Sequence, residues 1–248
     1  MRIKILACKV LMREISEAAA VSKNIADITW VRQGFHNEPD NLRAILQKNI
    51  DMIDSGEDPG TSEYFDDIEA IVLGYGLCSN GVTGVSSKKY KLVIPRAHDC
   101  ISLFLGSKER YRELFDSMGG GAYWYAPGWI ENAKLPCEQF ENEKKEEYIE
   151  KYGEENAEYL LEMESGWYRD YKYLPYIIPH NDSYPDYREF TKNAAKYYDW
   201  EYSEHLGDIS LIKDMVDGNW DEEKFLIVPP GQTAIQSYDE KTIIKTAD

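Results

Sequence analysis

The chain has 248 residues, 43% of them hydrophobic, with a formal net charge of −17 and a pI near 4.7. That is enough to bury the core of one large or two small domains. So acidic a surface would be repelled by phosphate backbones, which argues against a nucleic-acid partner. No run approaches the roughly 20 apolar residues of a membrane span, and Lys9, Arg13 and Glu14 interrupt the apolar N-terminus. Neither a membrane span nor a signal peptide is therefore expected, and the chain reads as cytoplasmic. The 4 cysteines then point to buried thiols, metal ligands or a reactive thiol rather than to a disulfide framework.

Residues 2–7 (RIKILA) read as a buried strand and 12–20 as a helix. A second strand, 28–32 (ITWVR), is β-branched and aromatic. A helix starts near Asn37–Pro39, because proline suits a first turn. Leu42, Ile45, Leu46, Ile50 and Ile53 recur along it at helical spacing until Gly56 ends it. The strand at 68–76 (IEAIVLGYG) is apolar at its centre, as in a parallel strand covered on both faces. A fourth strand at 91–97 precedes a helical pattern, and 122–128 (AYWYAPG) reads as a fifth.

Residues 138–164 are strongly acidic and read as one or two helices with a solvated face. Strands at 173–178 and 201–206 then alternate with helical stretches, and the last strand lies in 224–234. The 19 tyrosines and 6 tryptophans cluster at 122–130 and 167–202, in an aromatic cleft or a heavy core. Alternating strands and helices predict an α/β fold: a mostly parallel sheet with helices on both faces, Rossmann-like and three-layered. The expected organisation is a single domain, 1–248, with an acidic, partly helical, tyrosine-rich insertion at 135–223.

In such sheets ligands bind beyond the carboxyl ends of the strands. Cys8 follows the first strand, Gly34 and His36 the second, and Cys78 the third. His98, Asp99 and Cys100 follow the fourth, and Trp129 the fifth. Parallel topology would bring them to one rim. Thiolates and imidazoles suit zinc, iron or other transition metals, so Cys8, Cys78 and Cys100 with His36 or His98 form a candidate ligand set. No CxxC or HxxxH pair supports it by spacing. The segment 74–84 (GYGLCSNGVTG) offers Gly74, Tyr75, Gly76, Asn80 and Gly81 as a ligand-cradling turn. It is neither a dinucleotide fingerprint nor a phosphate loop.

Arg96 could grip an anion, and Asp99 could orient His98. A rival reading makes Cys78 or Cys100 a nucleophile activated by a histidine. His180, His205 and Cys137 read as structural or peripheral.

The motifs ILACKVLMREI, QGFHNEPDNLRAILQKNID, IVLGYGLCSNGVTGV, LVIPRAHDCISLFLGSKERY and YAPGWIE together resemble the prokaryotic family called domain of unknown function 1638. The resemblance is close over 1–132 and looser from 135 to 223. Positions matching its motifs are Cys8, Glu14, His36, Tyr75, Cys78, Asn80, Arg96, His98, Asp99 and Cys100. The resemblance implies an anaerobic setting, one-carbon or corrinoid methyl metabolism, and a corrinoid protein or methyltransferase as partner. Three functions follow as expectations. One is a metal-binding protein or metalloenzyme with zinc or an iron–sulfur cluster. The second is a metal-free cysteine enzyme, and the third a non-catalytic module binding a corrinoid protein or small ligand.

Overall fold

The computed structural model describes residues 1–35, 38–60, 68–239 and 242–247. In chain order the first elements are β1 Arg2–Cys8, α1 Met12–Val21, β2 Ile25–Val31, α2 Pro39–Ser55, β3 Ala70–Gly74, β4 Lys91–Pro95, α3 Cys100–Leu105 and α4 Lys108–Ser117. Next come α5 Pro127–Asn132, α6 Glu138–Tyr152, α7 Glu154–Ser165, β5 Tyr173–Ile178, α8 Arg188–Tyr198 and β6 Glu201–Leu206. The chain closes with α9 Ser210–Asp217, β7 Phe225–Val228, β8 Ala234–Gln236 and β9 Ile244–Thr246. These elements form two compact units, one of residues 1–111 with 208–248 and one of 112–207. The inserted unit thus begins and ends earlier than the 135–223 read from composition.

The first unit is built on a 5-stranded sheet of order β2-β1-β3-β4-β7. β1 pairs in parallel with β2 and β3, and β3 with β4; β7 is antiparallel to β4. This is the expected mostly parallel α/β sheet, with the C-terminal strand returning to its edge. Side chains alternate between the faces. Leu6, Leu73, Ile94 and Val228 share a cluster with Leu42, Leu46, Ile50 and Ile53 of α2 and with Ala234 and Ile244 of the β8–β9 hairpin. On the other face a methyl group at Gly74 would stand 2.7 Å from Ala7 Cβ and 3.0 Å from Ile15 Cδ1 of α1. α1 also packs against α9.

Lys4 points to the α2 side of β1 and is fully buried. Its Nζ lies 2.5 Å from Asp58 Oδ2 in the turn after α2, with side-chain exposures of 0% and 5%. Gly60 is held against the same ammonium, since a Cβ there would come within 2.6 Å of Nζ. The pair ties the chain leaving α2 to β1.

The second unit has a parallel pair, β5–β6. The fifth strand expected at 122–128 does not join the large sheet. Ala122 and Tyr125 make isolated parallel bridges to Tyr173 and Tyr176 of β5, and Pro127 starts α5. Aromatic and β-branched content signals extension but not which sheet an extended segment joins. The core of this unit is Tyr125, Leu135, Leu174, Tyr176, Ala194 and Trp200, with further tyrosines packed on it. The acidic segment forms two helices parted at Gly153, whose φ is 80°. α6 buries no residue and α7 only Ala157. The single helical pattern after β4 is likewise two helices, broken at Gly106 with φ 79°, where a side chain would strike Asp208.

Two outcomes follow from these interiors. Asp58→Ala leaves the Lys4 ammonium buried without its carboxylate, so urea unfolding should show a loss of about 3–5 kcal/mol. Burial pushes the Tyr123 and Tyr176 phenols up from 10.0 to about 12. Between pH 10 and 12 the native chain therefore holds protons that the unfolded chain releases, and stability falls as pH rises through that window. The phenolate absorbance of these residues should appear together with loss of helical circular dichroism, not before it.

Candidate functional site

β1 and β3 are neighbours, yet the chain leaves β1 toward β2 on one side and β3 toward β4 on the other. The connections diverge at their carboxyl ends, and such a switch point opens a crevice where ligands bind in this architecture. Cys8 is the last residue of β1, and Ala7 pairs with Gly74 at the end of β3. One step further, Cys8 and Tyr75 both turn to the α2 side, where they and Cys78 join the same apolar cluster.

The loop after β3 is tied to the loop after β4. Leu77 N donates to Ala97 O at 2.8 Å and Cys78 N to His98 O at 3.2 Å. Gly76 permits this approach, because a Cβ there would lie 2.7 Å from the Asp99 backbone. Cys78, Ser79 and Asn80 then occupy the left-handed region in succession, with φ of 45°, 57° and 68°. Each such residue without glycine's freedom costs about 1–2 kcal/mol, less for asparagine. The surroundings over-determine the turn. Gly81 N donates to Cys78 O at 3.0 Å, and Asn80 O accepts from Arg43 Nη2 at 3.1 Å and Thr83 Oγ1 at 2.8 Å. Asn80 Nδ2 reaches Gln236 Oε1 at 3.0 Å, and Gly84 N donates to Ala234 O at 2.8 Å. Strain held in this way is a feature of binding and catalytic sites.

Both cysteines are free and half-buried. Burial pushes the Cys8 thiol up, against the pull of the Val10 and Lys9 amides. It pushes Cys78 far higher, with Cys8 and then the Asp99 carboxylate adding to the effect. Tyr75 is raised by burial and by both cysteines. Its hydroxyl, in a residue only 3% exposed, has no hydrogen-bond partner among the described residues.

The other expected site residues take different places. Asp99 caps α3, accepting from Ile101 N at 2.9 Å and Ser102 N at 3.4 Å, and Tyr111 adds a side-chain hydrogen bond. Burial raises its carboxyl, while the His98 charge lowers it; no hydrogen bond to that exposed ring holds it as expected. Arg96, expected to grip an anion, donates instead to the main-chain carbonyls of Glu222 (2.8 Å), Thr242 (2.7 Å) and Ile244. Cys100 is buried in the first turn of α3. Trp129 lies in the second unit beside its tyrosine core, as does Cys137. His180 packs on Tyr184, and His205 on Trp124 and Ser203.

His36 lies outside the described residues. Among those described, no three His, Cys, Asp or Glu side chains are grouped to hold a metal ion. Of the predicted ligands, Cys8, Cys78, Cys100 and His36 or His98, the described ones are therefore not grouped; Cys8 and Cys78 pack against one apolar cluster. Sequence reasoning passed over Arg43 and Gln236, which brace the turn from positions with no motif of their own. It also missed Lys4, whose signal was a lone charge inside an apolar strand.

The fold defines an α/β protein of the doubly wound type, with Cys8 and Cys78 near the switch point of its sheet. Residues 30–216 match the model of the family described as protein of unknown function DUF1638, and the chain belongs to that family. No match was found among curated proteins or among solved structures. No helix among the described residues is long and apolar enough to cross a membrane.

Thiols raised above 9.0 are almost wholly protonated at neutral pH. Iodoacetamide should therefore modify Cys8 and Cys78 at pH 7.5 at least about ten-fold more slowly than in the urea-unfolded chain, with rates climbing only above pH 9. Fast modification of Cys78 at neutral pH, followed by peptide mass spectrometry, would contradict this electrostatic picture.

Proposed function

We propose that Cys8 and Cys78 form a dithiolate site for a thiophilic metal ion, zinc foremost, with its other coordination positions open to a substrate or partner. The observation that carries this reading is two free cysteines packed against one apolar cluster at the β1–β3 switch point. The residues fit such an ion. Sulfur is a preferred zinc donor, and a cation in the crevice converts raised thiols to thiolates while releasing protons. An iron–sulfur cluster calls for more cysteines than converge here. Two protein ligands also fall short of a closed structural zinc site, so exchange at the open positions is favoured.

A metal-free nucleophile fits less well. Activated cysteines sit beside cations, whereas the groups that act on Cys78 electrostatically, Cys8 and then the Asp99 carboxylate, both disfavour its thiolate. When bound, zinc would supply Lewis acidity and lower the pKa of a thiol or water at its open positions. The chain's own part is to hold one sulfur at the end of β1 and the other on the braced turn, among apolar side chains. This reading suits the one-carbon chemistry and the corrinoid-protein or methyltransferase partner that the family resemblance implies.

Zinc analysis of anaerobically purified chain should give one ion per chain. Cys8→Ser and Cys78→Ser should each weaken binding by more than about 100-fold, beyond what losing an outer hydrogen bond costs. Cys137→Ser should leave binding unchanged. Zinc binding that survives the Cys8→Ser/Cys78→Ser double variant, or no binding by the parent chain, refutes the proposal.

A further inference from the structure

α6 and α7 bury almost none of their surface, yet α7 carries large apolar side chains in the open. Tyr159 is 63% exposed and Met163 66%, and Trp167, in the short helical turn Gly166–Asp170 that follows, is 43% exposed. One turn of helix separates Tyr159 from Met163, so the two share a face. Ala157, the residue that α7 buries, points away from that face. Trp167 anchors the end of the stripe, because its ring packs edge-on against Tyr168 and Tyr171. Single exposed apolar residues are ordinary; apolar residues repeating at steps of four are a surface feature that water does not favour.

The charge around the stripe indicates what covers it. Residues 138–165 hold eleven glutamates and three lysines. Glu147, Glu162 and Glu164 are engaged by Lys151, Arg169 and Lys144. Glu155 and Glu158, each within about one turn of Tyr159, have no ion pair among the described residues. A second copy of the chain, at a net charge of −17, would bring the same sign to this surface. Anionic lipid and nucleic acid are opposed in the same way. We propose that the outward face of α7 docks a cationic amphipathic helix of a protein partner. The partner's apolar side lies on Tyr159, Met163 and Trp167, and its lysines or arginines face Glu155 and Glu158. This mode of recognition reads apolar anchors on successive helical turns. Methionine suits it because its unbranched, polarizable side chain adapts to a partner's shape. Tyrosine and tryptophan add broad apolar area with a polar edge. The proposal is independent of the dithiolate reading, with which it shares no residue.

The test uses the full-length chain and the fluorescein-labelled peptide LKKLLKLLKKLLKL, read by fluorescence anisotropy. The peptide LEELLELLEELLEL is the control of opposite charge. The parent chain should bind the lysine peptide and not the glutamate peptide. Tyr159→Ala/Met163→Ala leaves the charge unchanged and keeps good helix formers in α7. It should weaken binding about ten-fold or more, through the apolar contact removed. Tyr238→Ala, which removes an exposed ring from the other unit, should leave binding unchanged. Glu155→Gln/Glu158→Gln should weaken binding at low salt, and the difference should close at high salt. Lysine-peptide binding that survives Tyr159→Ala/Met163→Ala reduces the effect to the general attraction of an acidic chain for a cation, and overturns the proposal. Equal binding of the two peptides, equal weakening by Tyr238→Ala, or no binding by the parent chain overturns it as well. Self-association of the parent chain that Tyr159→Ala/Met163→Ala abolishes makes a second copy the occupant, and likewise overturns it.

Discussion

The parallel pairing of β1 with β3, with Ala7 opposite Gly74, sets everything at the crevice. It places the last residue of β1 beside the first residue past β3, and alternation turns Cys8 and Tyr75 to the same side. Gly74 makes this register compatible with a packed sheet. A side chain there would enter the space of Ala7 and of Ile15 on α1. A slip of one residue would send Cys8 to the opposite face. The site is thus a consequence of strand register, and the Lys4–Asp58 pair on the same face of β1 fixes the chain that leads from α2 toward β3.

The left-handed turn at Cys78–Asn80 is the second constraint, and distant parts of the chain maintain it. Arg96 secures the C-terminal hairpin by donating to the carbonyls of Thr242 and Ile244. That hairpin presents Gln236 to Asn80 and Ala234 to Gly84. From the opposite direction α2 supplies Arg43 to Asn80 and Thr83 and packs Leu42 against Gly81. Arg96 therefore matters to the crevice through the hairpin it holds. The strain in the turn is sustained because both supports act on it together.

The tyrosine-rich unit follows a different logic. Its interior is made of rings: Tyr123 stacks on Trp200 at 5.9 Å, and Tyr198 on Trp200 at 4.7 Å. Rings bury much area and still satisfy polar tips, as Tyr198 does with Glu141 at 3.0 Å. The acidic helices beside this core bury almost nothing and are steadied by pairs such as Glu147–Lys151. The abundance of tyrosine in the composition thus belongs to a core, and the acidic run to solvent-facing helices.

Local information in the sequence determined the elements. The helical spacing of Leu42, Leu46, Ile50 and Ile53, the apolar centre of β3 and the glycines at 56 and 218 all act within a few residues, so their outcome is readable in one dimension. The sequence also placed Cys8 and Cys78 after strands, and both pack on the α2-side cluster. What only the tertiary structure decided is which strand-end residues converge. Cys100 entered a buried helix turn, Asp99 became a cap, Arg96 turned to main-chain carbonyls, and the aromatic segment at 122–128 joined β5 in the second unit. Each of those outcomes depends on a partner far along the chain, and side-chain type sets what a residue can bind without setting which partner comes within reach.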